Sequence, residues 1–249
     1  MPNPRLIEIA KRLGRTDLPI PPIEEETASS TAGSFSTAGS FSLGFSLEDK
    51  LNFWRFSNIN YRNGIYQVDL TKELLSSGEI KTQDEWIEYS KQAKAKNGFY
   101  IADFPLYFAI KHALYSNRDN PFYKDLVNEV KEFIKENMFD HWLMTSTRVQ
   151  YKEQGKDTVI HNYNMPDQCK IEENFVDQDG FITKPETKAQ PALNALLNLP
   201  TMTPKEVNDT YKWLTEKDAY LVRVNSKADA ERLARFSADS DGVYLNCCR

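Results

Sequence analysis

The sequence predicts an α+β fold with a helical first half, central antiparallel β-hairpins, a C-terminal βαβ unit and a flexible N-terminal linker. Three observations carry this reading. Apolar residues recur at helical spacing from Val68 to Ile134, side chains alternate with period two from Leu143 to Tyr163, and the stretch after Thr203 reads as helix, strand, helix, strand.

Composition sets the frame. With 249 residues, 40% hydrophobic and 27% charged, the chain matches an ordinary globular protein that can bury a core without staples. Its apolar runs, such as Tyr107 to Ile110, are far shorter than the roughly 20 residues needed to span a bilayer, so no membrane association is predicted. The opening MPNPRLIEIAKRLGR places charges inside its apolar stretch and lacks the form of a secretory signal, which predicts a cytoplasmic protein. Cys169, Cys247 and Cys248 show no C-x-x-C spacing, so neither a disulfide framework nor a zinc site is expected, and no cofactor is predicted. A net charge of -5 argues against the basic footprint of a general nucleic-acid binder.

Residues 1–16 read as an amphipathic helix. Leu6, Ile9, Ala10 and Leu13 form an apolar stripe opposite Arg5, Glu8, Lys11 and Arg12, with Asn3 as cap and Pro4 in the first turn. So short a helix needs a surface to bury that stripe, because helix nucleation is costly. Residues 17–46 read as a flexible linker, proline-rich and acidic at first, then the low-complexity tandem repeat STAGSFSTAGSF, whose Ser, Thr and Gly bury too little apolar surface to order the segment. Residues 47–249 read as a single α+β domain.

Within that domain, Leu70, Leu74 and Leu75 predict a helix over Val68–Ser76 that ends at Gly78. Thr82-Gln83-Asp84-Glu85 spells a capping box ahead of Trp86, Ile87, Tyr89 and Ala93. Asp103 with Pro105 opens a third helix, and Asn120-Pro121 a fourth, with Leu126, Val130, Phe133 and Ile134 on one stripe. Leu143 to Tyr151 then alternates, and Thr158 to Tyr163 returns as its hairpin partner. Lys170–Val176 and Phe181–Lys184 write a second hairpin about Asp177-Gln178-Asp179-Gly180. Pro191–Leu197 is a short helix, and Thr203, Pro204 and Glu206 cap the next. Strand Ala219–Asn225, a helix capped by Ser226 and strand Val243–Cys248 form the βαβ unit, right-handed if its strands are parallel neighbours.

Few residues carry a chemical signature. Placing Gly180 at the glycine turn of an EF-hand loop makes Asp177, Asp179 and Glu186 calcium ligands, but Phe175 occupies the place of the first aspartate and Pro185 interrupts the exit helix, so a plain β-turn competes. His161, Asp167 and Cys169 supply the residue types of base, orienter and nucleophile. His161 also alternates with Val159 and Tyr163, as a hydrogen-bonded strand histidine would. Asn225 and Ser226 lie where a strand would pass into a helix, a place whose free N–H groups favour an anion, without the glycines that let backbone approach a phosphate. His112 and His141 read as packed or half-exposed side chains.

The function expected from these features is a non-catalytic protein-interaction module. A tethered helix docks on a partner, or on a second copy, through Leu6, Ile9, Ala10 and Leu13. The alternative is an enzyme of unknown reaction, with a polar pocket between the central hairpins and the βαβ unit that uses His161, Asp167, Asp177, Asp179 and Ser226. A third reading, single-stranded nucleic-acid binding, rests on Arg55 and Arg62 among Phe53, Trp54, Phe56, Tyr61 and Tyr66, against the acidic net charge.

Overall fold

The computed structural model describes residues 9–12, 44–79, 81–139, 143–152, 156–173, 180–185, 189–199, 202–222, 231–238 and 241–248. These form five α-helices and two β-sheets, the mixed α+β class that the sequence predicts.

The first sheet holds β1 (Ile9–Arg12), β2 (Ser46–Asp49), β3 (Phe53–Tyr61) and β4 (Gly64–Thr71), in the antiparallel order β1-β4-β3-β2. Strand β3 explains its own shape. Trp54 and Phe56 are buried at even positions, Ile59 and Tyr61 at odd ones, so the apolar set changes parity partway along the strand. A strand can keep both pairs facing the core only by inserting one extra residue. Phe56 pairs with Val68 and Ile59 with Tyr66, so three steps on β3 match two on β4, and Asn58 in the insert takes φ 62.

Two helix expectations give way to strands here. Val68–Thr71 belong to β4, followed by a 3-10 turn over Leu75–Gly78, because pairing with β3 on one edge satisfies the backbone while Val68 and Leu70 reach the core. Ile9–Arg12, read as part of an amphipathic helix, are strand β1, paired from Ile9 with Leu70 to Arg12 with Gln67. The open edge of β4 offers those four residues ready-made hydrogen-bond partners, which a short helix must find by nucleating. Leu6 and Leu13 lie outside the described residues. Phe45 and Ser46, read as the end of the linker, join the folded body: Ser46 opens β2 and Phe45 packs against the core.

The helices α1 (Gln83–Ala95), α2 (Phe104–Ser116), α3 (Lys124–Phe139), α4 (Ala189–Leu197) and α5 (Pro204–Thr215) follow the sequence reading, although α3 opens three residues beyond Pro121. Both spelled capping boxes form, Thr82 with Glu85 and Thr203 with Glu206. Asp103 accepts the Leu106 N–H at 3.0 Å as N-cap of α2. From Phe104 to Lys111 every residue of α2 is buried, because this helix packs on β3 of the first sheet and also against α4 and α5.

The second sheet holds β5 (Leu143–Gln150), β6 (Asp157–His161), β7 (Cys169–Glu173), β8 (Gly180–Phe181), β9 (Ala219–Val222), β10 (Glu231–Ala238) and β11 (Val243–Cys248), in the order β7-β6-β5-β10-β11-β9-β8. The first predicted hairpin is present as β5 and β6. The second is not: β7 pairs with β6 and β8 with β9, at opposite ends of the sheet, because each strand meets an apolar neighbour there. Strands β9 and β11 are parallel neighbours, as the βαβ reading requires. The predicted helix between them is overturned from Glu231 onward, where the chain is β10, wedged between β5 and β11. Ala234, Phe236 and Ala238 are buried at period two, and burial in mid-sheet overrides the helix propensity of Ala, Leu and Arg.

Candidate functional site

The two residues read as base and orienter are each engaged by separate partners. His161 on β6 is completely buried, with Nδ1 3.0 Å from Thr147 Oγ1 and Nε2 2.9 Å from the Ala195 carbonyl. The carbonyl can only accept, so Nε2 carries the proton and the Thr147 hydroxyl donates to Nδ1. Burial lowers the imidazole pKa to about 4, and both nitrogens are engaged inside the protein. His161 is therefore held as the hydrogen-bonded strand histidine.

Asp167 accepts from Lys94 Nζ at 2.9 Å and from Asn162 Nδ2 at 2.7 Å, while Ser146 donates to Asn162 Oδ1 at 3.0 Å. Arg62 donates to Asp103 Oδ2 at 2.8 Å and to the Asp167 carbonyl at 3.2 Å. An open recess of about 780 Å³ lies beside Lys94, Asn164 and Met165, but neither His161 nor Asp167 lines it. Arg55 is likewise engaged internally, forking onto both oxygens of the buried Asp69 at 2.8 and 2.9 Å. Asn225, Ser226, Asp177, Asp179 and Glu186 fall outside the described residues. Among the described residues no group of three or more His, Cys, Asp or Glu is placed to hold a metal ion, and no helix is long and apolar enough to cross a membrane.

Convergent polar groups occur instead around His112, in a cavity of about 540 Å³ lined by Gly44, Phe45, Asn58, Asn60, Ala109, His112, Ala113, Ser116, Asn117, Leu199 and Met202. Its walls follow from local structure. Ala109, His112, Ala113 and Ser116 recur at i, i+3, i+4 and i+7, so one face of α2 forms one side. Opposite, the inserted residue of β3 brings Asn58 to the rim, where its Nδ2 donates to the Gly44 carbonyl at 2.8 Å. Leu199 and Met202 come from the connection between α4 and α5, where Asn198 turns the chain with φ 52. Asn117 closes the end of α2, its amide donating to the Ala113 carbonyl at 2.8 Å.

His112 is held on two sides. Its ring stacks on Phe108 with centroids 5.8 Å apart, Nδ1 lies 3.1 Å from Thr210 Oγ1, and Nε2 lies 3.5 Å from Ser116 Oγ. Partial burial lowers its pKa, opposed by the nearby Glu206 carboxylate. Among the described residues that line it there is no carboxylate, ammonium or guanidinium group. Three carboxamides, one hydroxyl and one imidazole converge on a floor of Phe, Leu, Met and Ala, the usual make-up of a small-molecule site.

The sequence marks no site here and reads His112 as a packed or half-exposed side chain, and in the structure it is half-buried. A signal was present: the parity change in FWRFSNINY calls for a bulge, and bulges commonly re-aim side chains beside functional sites. Compared with protein-family models, curated proteins and solved structures, the chain gives no match.

Proposed function

We propose that this protein is a non-catalytic binding module whose site is the His112 cavity and whose ligand is a small, uncharged, polar molecule. The observation that carries this reading is the lining itself: five uncharged hydrogen-bonding side chains brought together from β3 and from α2 with its C-cap, with no ionic group among the described lining residues. A charged ligand entering such a site loses hydration without gaining a counter-charge, whereas a neutral polar one exchanges water for carboxamide, hydroxyl and imidazole partners.

The test is a fragment screen by saturation-transfer NMR on the full chain, with neutral alcohols and amides set against carboxylates and amines of matched size. Neutral fragments are expected to bind, and Ala113→Phe, which fills the cavity from α2, is expected to abolish their signal. Preferential binding of the charged sets, or binding insensitive to Ala113→Phe, sinks the reading.

Self-association through the N-terminal segment is a second reading, favoured by one observation: Ile9–Arg12 lie along the edge of β4 as an added strand, a pairing that the same segment can make onto β4 of a second copy. In this version the segment docks by backbone pairing rather than by a helical stripe. A peptide of residues 5–16 should bind a chain lacking residues 1–43 and be competed by the intact chain. No binding of that peptide, with the truncated protein still folded, rules this out.

A further inference from the structure

We infer that His112 is the specificity-determining acceptor of the cavity, and that the occupant is an uncharged polyhydroxylated molecule, a saccharide, that donates a hydroxyl proton to Nε2. This rests on the cavity being the binding site, and it names the ligand class.

The proton inventory decides the direction of the bond. Thr210 Oγ1 lies 3.0 Å from the Glu206 carbonyl, which can only accept, so the threonine hydroxyl gives its proton there. Its oxygen is then the acceptor for His112, and the 3.1 Å contact places the imidazole proton on Nδ1. Thr210 is completely buried, which excludes water from competing for that arrangement. Nε2 is left with its lone pair as an acceptor, beside Ser116, which also lines the cavity. Its partner there, Ser116 Oγ, stands off at 3.5 Å, at the long limit of a hydrogen bond, so a ligand hydroxyl that approaches more closely can replace it.

The other polar groups offer both signs. Asn58 and Asn117 each give one amide N–H to a backbone carbonyl, which among the described residues leaves the side-chain oxygen and the second N–H of each for a ligand. A hydroxyl both donates and accepts, so a molecule with several of them can satisfy Nε2, the carboxamide oxygens and the amide N–H groups in one pose. Phe45, Leu199 and Met202 supply apolar wall for the C–H face of a sugar ring. A simple amide lacks the several donors needed, and a nucleobase presents a fixed donor and acceptor edge.

Two measurements on the full chain test this. Long-range ¹H–¹⁵N correlation should find His112 protonated on Nδ1 at neutral pH, with Thr210→Val releasing that preference. A tautomer protonated on Nε2 overturns the inference. Saturation transfer with methyl glucoside, maltose and N-acetylglucosamine should exceed that with glucuronate, glucosamine and adenosine. His112→Phe should weaken the best saccharide at least about tenfold, as expected when a buried polar contact is lost. His112→Gln, which can still present an acceptor, should recover part of the affinity. Neutral amides binding while no saccharide does overturns this inference and leaves the cavity reading standing. Saccharides unaffected by Ala113→Phe overturn the cavity reading itself.

Discussion

Arg62 and Asp103, 41 residues apart, meet in a 2.8 Å charge-assisted hydrogen bond, and the Asp103 side chain is wholly shielded from solvent. The same carboxylate oxygen accepts the Tyr61 hydroxyl at 2.5 Å, while Oδ1 caps α2. One residue thereby ties the β3–β4 turn to the start of the central helix. Asp103→Asn keeps the cap acceptor but strands the guanidinium, and should cost about 3 kcal/mol by urea denaturation, the usual penalty for leaving half of a buried pair. The double variant with Arg62→Met should lose less than the sum of the two single changes. Strict additivity contradicts the coupling.

Lys111 is the clearest misfit between residue type and surroundings. It is 1% exposed, its Nζ has no hydrogen-bond partner among the described residues, and it sits 3.2 Å from the Phe236 ring centroid and 5.4 Å from that of Tyr211. Burial holds its pKa well below that of a free lysine. The native state therefore binds fewer protons than the unfolded chain below the unfolded lysine pKa, and stability contributed at this position rises with pH toward that value. Lys111→Met, of similar volume, should raise stability by about 2 kcal/mol at pH 7, on the scale of an unsatisfied buried donor, and remove part of the alkaline slope. A destabilised Met variant tells against this view of Lys111.

The buried His161 sets an acid limb. Its pKa falls to about 4 from the ordinary 6.5, so between those two pH values the unfolded chain takes up a proton that the native state refuses. Stability should drop by roughly 3 kcal/mol as pH falls from about 6.5 to 4, with no further loss from this group below that. His161→Gln removes the titrating group, so denaturation midpoints measured across that window should flatten. An unchanged slope in the variant assigns the acid limb to other groups.

Asn58 carries the strand insertion with φ 62, a region where asparagine is tolerated and β-branched residues are strained. Asn58→Gly should keep stability within about 1 kcal/mol, and Asn58→Val should lose roughly 2 kcal/mol. Crystal structures of the two variants should differ at the cavity rim, since only the valine pushes the strand out of its bulge.

Legibility in the sequence followed the range of the interaction. Helix starts were readable because their determinants are local: Thr82 and Glu85, or Thr203 and Glu206, lie within one turn and form the bonds their spelling implies. The hairpin of β5 and β6 was readable for the same reason. Glu231–Ala238 was misread because its state is decided by β5 and β11, and nothing within the segment records those neighbours. The pairing of β7 with β6 and of β8 with β9 was lost in the same way. His112 gave no hint alone, since its meaning depends on Thr210 in another helix and on Asn58 across the cavity. His161 was legible as a strand residue, but not as one sealed by the Ala195 carbonyl of α4.

The place of β10 has a consequence for synthesis. It joins the group β7-β6-β5 to the group β11-β9-β8, yet it is made after five of those six strands. On the ribosome, β5 must therefore wait with a bare edge until Glu231–Ala238 emerge, and through that interval the nascent chain offers an unpaired strand edge to any neighbour able to pair with it. Closing this sheet is thus a late, long-range event, and the period before it is when the protein is most in need of a chaperone.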